Sequence, residues 1–309
     1  MPEPIFKNPN LQALFDKQGF VVVPFLNNDE TSILTNFFHQ IHADIPHNVF
    51  ASSSYSSNYE YKKNISTKIT ELFSIHFERY FMEYAPIGGA FLYKTPGNCS
   101  KLMMHQDWTI VDEQKYYAIN VWVPLIDTNE QNGTLFVLPG SHLIAETLRA
   151  PTLPFFFTGK EDLVLKELVP INVPAGTAII INHSLIHYSP PNLTDKIRIA
   201  ITAGVISKNA QLLFYFKDPN APQAQIEVFE QEPDFLLQFD NFHQDIFDRP
   251  KTGKSIGYKS YNTPTLTNEQ LKSSIIATKE AAGYSSNVPP ACAPTQKSWW
   301  KKIISLYKK

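Results

Sequence analysis

Charge is scarce in this sequence. Only 18% of its 309 residues are Asp, Glu, Lys or Arg, and the formal net charge is -2. A nucleic-acid binder needs a basic field to release counterions, so that class is set aside. Cysteine is scarcer still. Cys99 and Cys292 stand far apart with no CxxC pair, which gives neither a disulfide framework nor a zinc knuckle. The opening MPEPIFKNPN lacks a basic-then-apolar secretory pattern, and no apolar run is long enough to cross a bilayer. The cytoplasm is the expected compartment. No internal repeat is present.

Apolar and turn-forming residues are plentiful. Hydrophobic residues make up 43% of the chain and aromatics 13%, with 22 Phe and 14 Tyr. Twenty-three prolines punctuate it, as a fold of short strands requires. Before residue 86 the pattern is mostly helical. Leu11, Leu14 and Phe15 have helical spacing up to Gly19, and Phe20–Phe25 is a β-rich run. Asn28 or Asp29 is a candidate cap for a helix carrying Ile33, Leu34, Phe37, Phe38 and Ile41. Residues 51–58, mostly Ser, Asn and Tyr, read as a mobile loop. A third helix is expected over about Lys68–Tyr80, with Ile69, Leu72, Phe73, Ile75 and Phe77 as its apolar side.

From Ile87 the period changes to two. Strands are expected near 87–94, 102–111, 116–124, 133–139, 168–173, 177–183 and 197–206. Turns such as Pro96-Gly97, Asn132-Gly133 and Pro139-Gly140 separate them. Many short strands of this kind make a sandwich or jelly roll. Residues 141–167 interrupt the strands and contain Pro154-Phe155-Phe156-Phe157, a candidate lid or substrate wall. The expected division is a single domain over 1–264, with a helical part at about 1–85, a β core at about 86–206 and an elaboration over 207–264. Residues 265–309 then comprise a short helix after Thr267, a Ser/Pro-rich linker and a basic aromatic tail. The tail, 297–309, holds five lysines among Trp299, Trp300, Ile303, Ile304, Leu306 and Tyr307. A weak membrane-surface contact and a solvated or partner-binding terminus both fit that composition.

His105-Gln106-Asp107 is the central chemical clue. In a strand, residues two apart share a face, so an imidazole and a carboxylate converge on one ion. With one distant histidine they make a two-histidine, one-carboxylate triad that suits Fe(II) and leaves half the octahedron open. His183 and His187 are both candidates for the second histidine. If one strand carries both, they are roughly 13 Å apart. One ion then cannot take both, and chemistry alone does not choose. Arg198 interrupts the apolar run Ile197–Ile201. A guanidinium is a planar fork for a carboxylate, and a charge inside a strand needs a partner. The alternative is an edge strand with Arg198 in solvent.

Several segments together resemble the phytanoyl-CoA dioxygenase family of Fe(II)/2-oxoglutarate oxygenases. They are Gln18-Gly19-Phe20-Val21-Val22, Leu92–Gly97, His105-Gln106-Asp107-Trp108, Trp122-Val123-Pro124-Leu125, Asn132-Gly133-Thr134-Leu135, Pro139-Gly140-Ser141-His142, and His187–Asn192 with Arg198. The similarity covers roughly residues 10–206. The resemblance implies a mainly β fold with flanking α, a double-stranded β-helix (jelly roll, cupin-like). It implies His105, Asp107 and His187 as iron ligands, Arg198 and Ser189 on the distal carboxylate of 2-oxoglutarate, and Lys94 as a further co-substrate contact. Asn120 and Trp122, on one strand face, are candidate pocket residues. His142 and His183 fall at motif positions that are not ligands.

The implied activity uses Fe(II), 2-oxoglutarate and O₂ to oxidise a C–H bond of a small organic or lipid-like substrate, releasing succinate and CO₂. Asp107 favours hydroxylation over halogenation, because halogenating relatives lack that carboxylate. Two other classes stay open: a catalytically silent jelly-roll binding protein, and a cupin-type metalloenzyme without a 2-oxo acid. The substrate and the oligomeric state are not written in the sequence.

Overall fold

The first helix, α1 (Pro9–Gln18), starts at an asparagine cap and ends at a left-handed glycine. Asn8 accepts from the backbone N–H groups of Asn10 and Leu11, and Gly19 has φ +79°. A Cβ at Gly19 would lie 2.5 Å from His142 Nδ1, so the turn into β1 (Phe20–Pro24) needs glycine for both angle and space. The cap of α2 (Asn28–Ile41) is Asn27, one residue before the two candidates, with Glu30 completing a capping box. The computed structural model describes residues 2–220 and 224–284. The linker and basic tail lie outside the described residues.

The polar stretch 51–58 departs from the expected mobile loop. It forms β2 (Phe50–Ser52) and a 3-10 turn, Ser53–Tyr55, with Ser52 and Ser53 buried. Ser53 Oγ accepts the N–H of Phe91 at 2.9 Å, so its polarity serves a sheet edge rather than solvent. Helix α3 (Tyr59–Tyr80) starts nine residues before the expected Lys68, capped by Asn58. Its buried stripe is Ile65, Ile69, Phe73 and Phe77 at spacing four, while Ile75 is 67% exposed.

Ten strands make the jelly roll. Beyond β1 and β2 these are β3 (Tyr84–Lys94), β4 (Leu102–His105), β5 (Ala118–Pro124), β6 (Leu135–Val137), β7 (Val169–Ile171), β8 (Thr177–Asn182), β9 (His187–Ser189) and β10 (Arg198–Ser207). A short helix, α4 (Glu161–Leu165), precedes β7. One sheet runs β1-β8-β5-β10-β3-β2 and the facing sheet β4-β9-β6-β7, all antiparallel pairs. The alternation of β10 decides what lies where. Ile199 and Ile201 join Val121 and Val123 under the three helices, while Ala200 packs with Trp122, Leu135 and Ile179 between the sheets. Arg198 therefore points inward from a central strand and is 1% exposed, which removes the solvent-edge alternative.

The elaboration after residue 207 is a third sheet, β11 (Leu212–Phe216), β12 (Gln225–Gln231) and β13 (Lys254–Ser260), with the short helix α5 (Phe242–Asp245) between the last two. Helix α6 (Asn268–Ala281), capped by Thr267, follows. Its Leu271 and Ile275 pack with Leu138, Phe156, Phe157 and Ile186, so residues set apart in sequence lie on the jelly roll. Phe156 and Phe157 are 3% and 1% exposed in that cluster. They are packing residues, not a lid. Among the described residues no helix is long and apolar enough to cross a membrane.

Candidate metal centre

Antiparallel pairing brings the two histidines together. β4 and β9 pair with His105 directly opposite His187, and the two ring centroids are 4.2 Å apart. Asp107 lies two residues past the end of β4, so the expected continuous strand over 102–111 is absent. The carboxylate reaches the same point from the loop. Asp107 Oδ1 is 3.6 Å from His105 Nε2 and 3.9 Å from His187 Nε2. One donor atom from each of the three residues falls within 4.8 Å of the other two.

The donor set fits a divalent first-row cation. Each histidine has its Nδ1 on a main-chain carbonyl, that of Met103 at 2.8 Å for His105 and that of Leu185 at 3.0 Å for His187. A carbonyl only accepts, so Nδ1 carries the proton and Nε2 keeps its lone pair for a metal. Burial, then the neighbouring His105, pushes the His187 imidazole down to about 4, favouring the neutral ligand form. Burial works to raise the Asp107 carboxyl, but the neighbouring imidazoles of His105, His187 and His183 outweigh it. They hold it well below the usual carboxylate range. Asn120 Nδ2 donates to Asp107 Oδ2 at 3.3 Å and its Oδ1 accepts from Thr202.

His183 is placed elsewhere. β8 stops at Asn182 and β9 begins at His187, so one strand does not carry both histidines. The intervening turn aims His183 Nδ1 at the Trp108 carbonyl, 3.0 Å away. His142 pins the end of α1, with Nε2 at 2.9 Å from the Asp16 carbonyl.

Behind the triad lies a closed, basic recess. Arg198 and Lys94 are cross-strand partners on β10 and β3 and are 1% and 0% exposed. Arg198 makes one 3.3 Å hydrogen bond, to the Leu92 carbonyl, and its guanidinium carbon stands 5.6 Å from the Trp122 ring centre. Its Nε is buried without a partner, and no carboxylate among the described residues pairs with it. Burial alone pushes the group down to about 9. An uncompensated interior charge is costly, and the guanidinium fits a carboxylate partner. Lys94 Nζ donates to the carbonyls of Ser189 at 2.8 Å and Pro190 at 2.5 Å. Burial, then the Arg198 charge, pushes its amine down to about 6. Ser189 donates its hydroxyl proton to Gly133. Gly133 has φ +82° and would place a Cβ 2.7 Å from the Pro190 carbonyl and 2.8 Å from Lys94 Cδ, so glycine lets the recess close.

Two groups of residues near the centre carried no sequence signal. Tyr55 stacks on Phe242 at 4.6 Å, and Phe242 lies parallel to Trp108 at 6.0 Å. Burial, then the Asp107 charge, pushes the Tyr55 phenol up to about 12, so it stays protonated. Arg149, in the 141–167 stretch, donates to the Asp107 main-chain carbonyl at 2.9 Å.

The class is thus a jelly roll carrying a His-Asp-His metal centre beside a basic recess. The family model described as Phytanoyl-CoA dioxygenase (PhyH) matches residues 80–200. Phytanoyl-CoA dioxygenase 1 of Oryza sativa subsp. japonica is 27% identical over 201 residues, covering 64% of this chain and 66% of that protein. Phytanoyl-CoA dioxygenase domain-containing protein 1 of Danio rerio is 29% identical over 199 residues, covering 62% of each chain. The chain spans just under two thirds of the length of these curated relatives. Among solved structures, EvdO2 from Micromonospora carbonacea var. aurantiaca complexed with 2-oxoglutarate superposes with a TM-score of 0.50 at 18% identity, over 67% of this chain and 94% of that one. That likeness speaks for the fold. Through residues 80–200 the chain is thus similar to the phytanoyl-CoA dioxygenase family.

Proposed function

We propose that this protein is a ferrous-iron and 2-oxoglutarate-dependent oxygenase that hydroxylates a small organic or lipid-like molecule. The observation that carries the reading is Arg198, buried and without an anion, in a recess that adjoins three convergent metal-type donors. A plain divalent-metal site needs no such arginine; a dicarboxylate co-substrate does.

His105, Asp107 and His187 hold the iron. Arg198 receives the distal carboxylate of 2-oxoglutarate, with Trp122 against its guanidinium and Lys94 and Ser189 shaping the wall. Bound iron with 2-oxoglutarate and O₂ supplies an oxidant strong enough for an unactivated C–H bond, with succinate and CO₂ as by-products. The protein's own share is orientation and exclusion of water. Asn120, itself fixed by Thr202, sets the angle of Asp107. The Tyr55–Phe242–Trp108 stack stands on the open side, where the substrate enters, and presents an apolar wall with one hydroxyl.

Anaerobic titration of 2-oxoglutarate into iron-loaded protein tests the reading. A weak visible charge-transfer band is expected to grow to one equivalent. Iron-loaded protein that stays colourless would rule out the 2-oxo acid. Succinate release screened across amino acids, acyl chains and lipid-derived compounds then identifies the substrate class.

A further inference from the structure

Asp107 is the one member of the triad that no strand holds. β4 ends at His105, and the chain beyond it has no ladder partner. At Asp107 itself, the main chain is held by residue 149. Arg149 Nε donates to the Asp107 carbonyl at 2.9 Å, and its Nη1 donates to the Thr147 carbonyl at 2.7 Å. Its Nη2 pairs with the Glu113 carboxylate. The two backbones are also tied: the Thr109 N–H donates to the Arg149 carbonyl at 2.9 Å, and the Arg149 N–H donates to Thr109 Oγ1 at 3.1 Å. The Arg149 side chain is 2% exposed. A rigid fork with its donors on two points of the 106–117 loop and one of its own segment is a device for fixing relative position.

We propose that Arg149 is a positioning residue for the metal centre: by holding the Asp107 main chain from behind, it sets where the carboxylate meets the two imidazoles. The inference rests on the metal-centre reading above. The carboxylate itself is restrained by the 3.3 Å contact from Asn120, which turns the group about its bonds, while His183 at the Trp108 carbonyl and Gln106 at the Ser184 carbonyl hold the flanking residues. Outer-shell partners of this kind are worth roughly 10–100-fold in metal affinity. The 141–167 stretch then supports the carboxylate of the centre.

Co(II) binding to the full chain, followed by its visible absorption, tests this without a substrate. Wild-type protein is expected to bind one equivalent. Arg149→Met is expected to weaken binding roughly 10–100-fold and to shift the cobalt band, because the ligand geometry changes. Arg149→Lys keeps a charge and one donor and is expected to fall between the two. Glu113→Gln leaves the Arg149–Asp107 bond in place; it should lower Tm while keeping cobalt affinity close to wild type. A purely structural arginine predicts the opposite pattern, with Tm lowered in all three variants and the cobalt band unchanged. A folded Arg149→Met with wild-type affinity and spectrum overturns the proposal. If that variant does not fold, an Arg149→Lys protein indistinguishable from wild type overturns it equally. Wild-type protein that takes up no cobalt defeats the metal-centre reading itself, a separate outcome.

Discussion

The two ends of the site are built on opposite principles. At the recess, Arg198, Lys94 and Ser189 are 1%, 0% and 3% exposed, and a glycine is needed for the walls to meet. At the mouth, the His105 and Asp107 side chains are 26% and 21% exposed, and an aromatic stack assembled from distant segments brings Tyr55 within reach of the Asp107 charge. On the proposed reading, the closed end with one unanswered charge receives a carboxylate. An open end with an apolar wall accepts whatever molecule fits beside the metal. On the function proposed above, the first is the co-substrate's end and the second the substrate's.

The sharpest way to break this comparison is to remove a donor at the junction. His187→Ala is expected to lose more than about 100-fold in iron affinity, since even outer-shell losses reach that size. His183→Ala, whose imidazole meets the Trp108 carbonyl, is expected to keep its iron. Metal content by elemental analysis separates them, and iron lost from the His183 variant alone would reassign the ligand. Next in size is Arg198→Ala. Truncating one partner of a buried charge pair costs about 2–5 kcal/mol, so 2-oxoglutarate binding should weaken roughly 30-fold or more while iron content holds. Equal loss of both would mean that the recess and the metal are one structural unit.

The sequence carried the closed end better than the open one, for a physical reason. Arg198 was visible as a charge within the apolar run Ile197–Ile201, where the strand period assigns each residue to a face. His105, Asp107 and His187 were visible because metal chemistry limits the side chains that serve, although the strand argument linking His105 to Asp107 failed at the end of β4. Tyr55 was hidden in a stretch that composition marks as solvent-loving; it is covered by Phe242, 187 residues later. Arg149 was hidden because its partner is a main-chain carbonyl, and any residue can supply one. The third sheet was missed because strands such as Leu212–Phe216 are apolar throughout, with no alternation to read.

A third test concerns the cost of keeping the recess closed. Lys94 has an ordinary value of 10.5 that burial, then Arg198, pushes down to about 6 in the folded chain. Between those values the unfolded chain binds more protons than the folded one, so stability rises with pH across that window. The slope contributed by one such group is at most about 1.4 kcal/mol per pH unit. Lys94→Met should flatten the rise of Tm between pH 6 and 10 in protein free of co-substrate. A variant with the wild-type slope would show that the amine stays charged inside the fold.

The smallest expected effect lies at the mouth. Tyr55 keeps its phenol proton, and burial and the Asp107 charge both act to keep it there. A neutral hydrogen bond to substrate is worth about 0.5–1.5 kcal/mol, so Tyr55→Phe should raise the substrate's KM roughly 2- to 12-fold. Iron content and 2-oxoglutarate affinity should not move, because the ring and its stack on Phe242 remain. Succinate formation, measured against each ligand in turn, makes the distinction. A Tyr55→Phe protein whose KM rises for 2-oxoglutarate rather than for substrate would place the phenol on the co-substrate's side, and the division between a closed end and an open one would fail at that residue.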